Sequence, residues 1–155
     1  MLRFVNTGVV FQEIPDEVTL SVNISNCPCH CLGCHSKYLW DDIGEPLNYL
    51  AVDEMLRKYG DDVTCFCLMG GDADTCGVND IASYIRRKAP HLKVAWYSGR
   101  HELSPDISLE NFDFIKLGPY VEELGGLDKR TTNQKLFKVE KDFSLTDITS
   151  KFWKK

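Results

Sequence analysis

Cys27, Cys31 and Cys34 carry the spacing C-x3-C-x2-C. A loop with that spacing can fold three thiolates around one centre. A four-iron cube takes one ligand per iron, and thiolates are its usual ligands. Three local ligands leave one iron open to bind substrate, much as a catalytic zinc keeps one position vacant. The same residues admit a second reading, a structural zinc completed by His30 or His35. Such sites usually use two separated ligand pairs, and no second cysteine pair of matching kind is visible. Cys29 lies inside the loop but outside the spacing, so it is either a bystander or a replacement for Cys27 or Cys31. Cys65 and Cys67 share one face of an apolar run and read as small core residues. Cys76 reads as another core residue or a loop thiol, and His91 and His101 as surface residues. An odd total of seven cysteines, with no apolar leader after Met1-Leu2-Arg3-Phe4, argues for a reducing compartment, hence a cytoplasmic protein.

The loop needs a scaffold, and periodicity supplies one. Phe4 to Phe11 reads as an irregular hairpin-like start and Val18–Ile24 as a first core strand running straight into the cysteines. Val52, Met55, Leu56 and Tyr59 sit at i, i+3, i+4 and i+7, predicting a helix over Asn48–Tyr59 that Gly60 stops. Val63–Met69 is a buried strand closed by Gly70-Gly71. Asn79–Ala89 is a second helix, with Ile81, Tyr84 and Ile85 inward and Pro90 as its stop. Lys93–Tyr97 and Asn111–Leu117 are further strands, with a short helix near Leu109 between them. A Gly/Thr-rich loop to Asn133, a strand at Lys135–Val139 and a short helix over Leu145–Phe152 complete the chain.

That rhythm predicts an α/β fold with a mostly parallel sheet and right-handed crossovers. No linker or repeat divides it, so residues 1–155 are taken as one domain. Active groups are expected at the carboxyl ends of the strands, and the special residues gather there: the cysteines, Gly70-Gly71-Asp72, Ser98-Gly99 and Gly118-Pro119. A full eight-unit barrel needs about 200 residues or more, so the expectation is a partial (βα) barrel. The net charge of −5 without a basic run argues against nucleic-acid binding, and no run approaches a membrane span. Asp72 and Asp74 together could suit a hard metal, but paired loop acids are more often solvated.

C-x3-C-x2-C after a first strand resembles the signature of the radical S-adenosylmethionine enzymes. Asn26-Cys27, Gly33-Cys34-His35-Ser36-Lys37 and Trp40 narrow the resemblance to the activating proteins of anaerobic ribonucleotide reductase. So do Gly70-Gly71-Asp72, Trp96-Tyr97-Ser98-Gly99 and the run Lys116-Leu117-Gly118-Pro119-Tyr120 through Asp128 with Thr131-Thr132-Asn133-Gln134. The match in order covers nearly the whole chain.

The resemblance implies a radical S-adenosylmethionine fold with a [4Fe-4S] cluster on Cys27, Cys31 and Cys34. It implies that Gly33, Cys34 and His35 meet the adenine part of S-adenosylmethionine. Gly70, Gly71 and Asp72 would hold its methionine part, with Asp72 near the amino group, and Ser98 would donate a hydrogen bond. No catalytic residue beyond the cluster ligands is implied. A one-electron donor such as flavodoxin or ferredoxin would reduce the cluster, and cleavage of S-adenosylmethionine would give a 5′-deoxyadenosyl radical. That radical would take a hydrogen from a glycine of anaerobic ribonucleotide reductase. An activating enzyme for a formate-lyase type partner would share every cluster residue, and a zinc-binding interaction module is the non-catalytic alternative. Three departures stand out: Ala73 where many relatives have proline, His35 where many have an aromatic residue, and Lys116-Leu117-Gly118 where related activating enzymes carry Asp-x-Lys near this strand. The Gly125–Gln134 loop is either close to the partner or a cap over the last strand.

Overall fold

The computed structural model describes residues 1–31, 33, 34 and 36–153. Strands β1 (Arg3–Val10) and β2 (Thr19–Ile24) form an antiparallel pair, and the two-residue β3 (Glu45–Pro46) adds to the outer edge of β1. Helix α1 (Tyr49–Tyr59) leads to β4 (Cys65–Met69), and α2 (Thr75–Lys88) leads to β5 (Lys93–Tyr97). A 3-10 turn at Leu109–Asn111 precedes β6 (Phe114–Leu117). The antiparallel strands β7 (Lys135–Val139) and β8 (Leu145–Asp147) follow, and a 3-10 turn at Thr149–Phe152 comes last.

The sheet order is β3-β1-β2-β4-β5-β6-β7-β8. Only its centre, β2-β4-β5-β6, is parallel; the flanks are antiparallel. The sheet is therefore mixed rather than mostly parallel, and it is open, with β3 and β8 as its edges. The α/β class holds, and closure toward a barrel is not seen. The physical reason lies in the connections. Helices α1 and α2, and the long segment between β5 and β6, provide the crossovers that parallel strands need, whereas the flanking connections carry no helix and return the chain antiparallel.

Both helices begin at side-chain caps. Asn48 Oδ1 accepts from the Ala51 amide at 2.9 Å, and Asp74 Oδ1 accepts from the Gly77 amide at 3.0 Å. The Asp74 cap starts α2 four residues before the sequence expectation, which followed the stripe from Ile81 and passed over Val78. The expected terminal helix is instead β8 plus a single 3-10 turn. Asp142 accepts from both the amide and the hydroxyl of Ser144 at the β7–β8 turn, and β8 gains its hydrogen bonds from β7. Among the described residues no helix is long and apolar enough to cross a membrane.

Alternation along the central strands separates two apolar layers. Phe66, Leu68, Val94, Trp96 and Ile115 face α1 and α2 and pack on Val52, Met55, Val78, Ile81 and Ile85. The opposite face carries Cys65, Cys67, Ala95 and Phe114, covered by Ile14 and Leu136. Burial pushes the Cys65 thiol up to about 12, and the Cys67 thiol well above its ordinary value. Raising a thiol pKa lowers its thiolate fraction at pH 8, and the thiolate is the nucleophile. In the folded apo chain at pH 8, iodoacetamide should modify exposed Cys76 more than roughly tenfold faster than Cys65 or Cys67, because a buried thiol reacts only when the fold opens locally. Comparable labelling of all three in peptide mapping would contradict this packing.

Candidate metal centre

The cysteine loop leaves β2 through three residues in the left-handed region: Asn26 at φ 60°, His30 at φ 43° and Gly33 at φ 79°. These reversals curl a short segment that regular structure would extend. Its return leg pins it. The amides of Asn26 and Cys27 donate to the carbonyls of Asp41 and Leu39 at 2.9 and 2.8 Å. Ser25 Oγ donates to the Ile43 carbonyl at 2.6 Å. The His30 ring stacks on Trp40 at 4.6 Å between centroids. The Cys34 amide donates to the Cys31 carbonyl at 3.1 Å, and the Ser36 amide donates to Cys34 Sγ at 3.4 Å.

Beneath the loop the sheet offers a single row. Asn23 pairs with Met69, Met69 with Tyr97 and Tyr97 with Lys116, one residue from each parallel strand near its carboxyl end. All four line one cavity of about 200 Å³ together with Cys27, Cys29, Cys31 and Cys34. The period-two rule that buries Cys65 and Cys67 also brings Met69 to this face. A groove of about 610 Å³ between the starts of the two helices is larger, but its lining carries no thiol.

Gly70-Gly71-Asp72 turns the chain out of β4. Gly70 has φ 113° and Gly71 φ 95°. The Gly70 carbonyl accepts from Trp96 Nε1 at 2.7 Å, and its amide donates to the Tyr97 carbonyl at 3.0 Å. At Gly71 a Cβ would stand 2.5 Å from Val78 Cγ2, so the missing side chain makes room for α2. Gly71→Ala should cost about 2–4 kcal/mol from crowding and left-handed strain. Denaturant titration of the apo chain checks this, and an unchanged midpoint would contradict it.

The Asp72 carboxylate is held from two sides. Ser98 Oγ donates to Oδ1 at 2.6 Å and the Gly99 amide to Oδ2 at 2.8 Å. Cys29 Sγ also lies 3.8 Å from Oδ2. Burial and the Asp72 charge push the Cys29 thiol up to about 12. Lys116 is only 7% exposed, and its Nζ donates to the carbonyls of Ser98 and Gly118 at 2.9 and 3.0 Å. Burial lowers its pKa, while Asp72 and the three cysteines 31, 29 and 27 pull it back up. A buried amine therefore lines the cavity with the thiols, on the strand where the sequence departs from the Asp-x-Lys pattern.

Of the expected site residues, Cys27, Cys31, Cys34, Gly70 and Asp72 share the cavity wall. Ser98 reaches it through Asp72 and lines an adjoining pocket of about 470 Å³ with Asp72 and Arg100. Gly33 packs against Glu122, whose Oε2 would be 2.8 Å from a Cβ there. His35 lies outside the described residues. Sequence reading missed Asn23, Met69, Tyr97 and Lys116 as one set, because only strand register unites them. It also left Cys29 without a part, although that sulfur lies on the cavity beside Asp72.

The donor set fits an iron–sulfur group. The four loop thiols are free and half-buried, soft sulfur suits iron in such clusters, and Lys116 offers compensating charge. Trp40 also lines the cavity, and its buried indole N–H has no hydrogen-bond partner among the described residues. Among those residues, no three of His, Cys, Asp and Glu are grouped to hold a single ion. Searches of curated proteins and of solved structures found no match. Residues 17–138, from just before β2 into β7, match the family model described as 4Fe-4S single cluster domain, and the chain belongs to that family.

Proposed function

We propose that this iron–sulfur protein is a radical S-adenosylmethionine activating enzyme that installs a glycyl radical on anaerobic ribonucleotide reductase. One observation carries the reading: three cysteines spaced C-x3-C-x2-C line the same cavity as Gly70 and Asp72 of the turn after β4, above one row of strand-end residues. Cys27, Cys31 and Cys34 would hold three irons of a four-iron cluster, and the fourth would be open to the amino and carboxylate groups of S-adenosylmethionine. When bound, that pair supplies one-electron cleavage of a carbon–sulfur bond and, through it, hydrogen-atom abstraction.

The residues of the chain position and shield. Cys27, Cys31 and Cys34 hold the cluster as thiolates. Asp72, fixed by Ser98 and Gly99, would accept a hydrogen bond from the amino group of bound S-adenosylmethionine. Lys116, anchored on two carbonyls, offsets the negative charge gathered in the cavity. Met69 and Tyr97 keep water from the floor. No general acid or base is required, because hydrogen-atom transfer moves no separate proton. The electron comes from an external one-electron donor of the flavodoxin or ferredoxin kind.

The partner's glycine would arrive on a backbone segment. A groove of about 640 Å³ shares Met69, Tyr97, Tyr120 and Gln134 with the cavity and runs beneath Gly125-Gly126-Leu127. This supports the Gly125–Gln134 loop as the element beside the partner. Mixing the reconstituted, reduced chain and S-adenosylmethionine with anaerobic ribonucleotide reductase should give the electron paramagnetic resonance doublet of a glycyl radical. A formate-lyase type partner should give none. The reverse pattern assigns the chain to the other partner, and no radical with either contradicts the activating role.

A further inference from the structure

Cys29 is the thiol that the three-cysteine spacing does not use. It nevertheless shares the cavity with Cys27, Cys31 and Cys34. Its sulfur lies 3.8 Å from Asp72 Oδ2, and a Cβ on Gly99 would come within 2.7 Å of it. Asp72 and Gly99 are the groups beside which the amino end of S-adenosylmethionine is placed under the function proposed above. One sulfur of the shared cavity thus lies beside the group that would receive the ligand's iron-binding end.

We propose that Cys29 is a displaceable fourth thiolate ligand, which caps the open iron of the cluster until S-adenosylmethionine takes its place. The proposal rests on the cluster reading of this cavity. The exchange balances without a redox step. The bond between iron and the Cys29 sulfur breaks, and bonds between iron and the ligand's amine nitrogen and carboxylate oxygen form in its place. The ammonium gives up one proton, the released thiolate takes up one, and no electron moves. The Cys29 sulfur then lies beside Asp72, 3.8 Å from Oδ2. In the resting state the cap would protect the most exposed iron from oxidants. Its cost is weaker apparent binding of S-adenosylmethionine, because only the uncapped fraction is competent.

The test uses the full chain, reconstituted anaerobically with iron and sulfide, beside Cys29→Ala and the size-conserving Cys29→Ser. Each is titrated with ferricyanide without S-adenosylmethionine, and the electron paramagnetic resonance signal of a three-iron cluster is followed. The wild-type chain should keep its fourth iron under conditions in which both variants lose it. S-adenosylmethionine should also bind Cys29→Ala roughly tenfold more tightly, the factor expected if about one wild-type chain in ten is uncapped. Equal iron loss in all three chains, or equal affinity, overturns the proposal. Failure of the Cys29 variants to load a cluster that Cys27→Ala still loads overturns it too, because Cys29 would then be one of the three permanent ligands. A four-iron cluster that binds S-adenosylmethionine in neither chain overturns the exchange together with the enzyme reading. A wild-type chain that takes up no cluster defeats the cluster assignment itself.

Discussion

Cys34→Ala should lose the cluster. After anaerobic reconstitution its iron and sulfide content should fall more than the roughly 10–100-fold in metal affinity that loss of a supporting contact costs, because a ligand itself is gone. Cys34 closes the loop: its amide is tied to the Cys31 carbonyl and its sulfur accepts from the Ser36 amide. Alanine keeps the first of these contacts and removes the donor atom alone, so the apo chain should fold as before. Cys27→Ala and Cys31→Ala should behave alike. Cys76→Ala should keep full iron, since that exposed thiol stands at the start of α2 and lines no part of the cavity. Full iron in Cys34→Ala, with loss in Cys76→Ala, would contradict the ligand assignment.

Asp72→Ala should spare the cluster and weaken S-adenosylmethionine binding by roughly 10–150-fold, the equivalent of one charge-assisted hydrogen bond of about 1.5–3 kcal/mol. The substitution also strands the Ser98 hydroxyl and the Gly99 amide, which both donate to this carboxylate. Each stranded donor costs about 1–3 kcal/mol of folding stability. Asp72→Asn removes the charge and keeps an acceptor for one of the two donors. It should therefore fold better than Asp72→Ala while still binding S-adenosylmethionine weakly. Calorimetric titration beside thermal unfolding separates the two effects. Native affinity in Asp72→Asn would show that the carboxylate serves the Ser98–Gly99 turn alone.

The central elements were readable because their signals are local. The α1 stripe, the apolar run of β4 and the Gly-Gly exit from it are all written in consecutive residues, and the structure returns them with small shifts in their bounds. The cysteine spacing is local too, which is why the cluster could be proposed before any strand was paired. What escaped depends on pairing. Lys116 and Asn23 are far apart in sequence and line one cavity only because the register places Asn23, Met69, Tyr97 and Lys116 in one row. The lysine looked like a departure from a motif until burial showed it turned toward the thiols. Leu145–Asp147 read as helix because three residues carry too little periodicity to outweigh the apolar spacing through Phe152, and its partner strand decides it. Ile14, fully buried on the cysteine-bearing face, lies in a connection that offers no periodicity at all.

Gly33 and Gly71 show the same limit within the motifs. Both read as places where backbone approaches a ligand. In the structure Gly71 makes room for Val78 of α2, and Gly33 for Glu122 of the loop after β6. A glycine in a motif reports that something comes close, and only the fold says what.

The most direct test is product formation. The full chain, reconstituted with iron and sulfide, reduced with dithionite and given S-adenosylmethionine under anaerobic conditions with anaerobic ribonucleotide reductase present, is assayed for 5′-deoxyadenosine. The account predicts its formation in the wild-type chain and its loss in Cys27→Ala, Cys31→Ala and Cys34→Ala. A fully loaded, reduced cluster that yields no 5′-deoxyadenosine with the reductase present would contradict it and leave the cluster a structural or electron-carrying group.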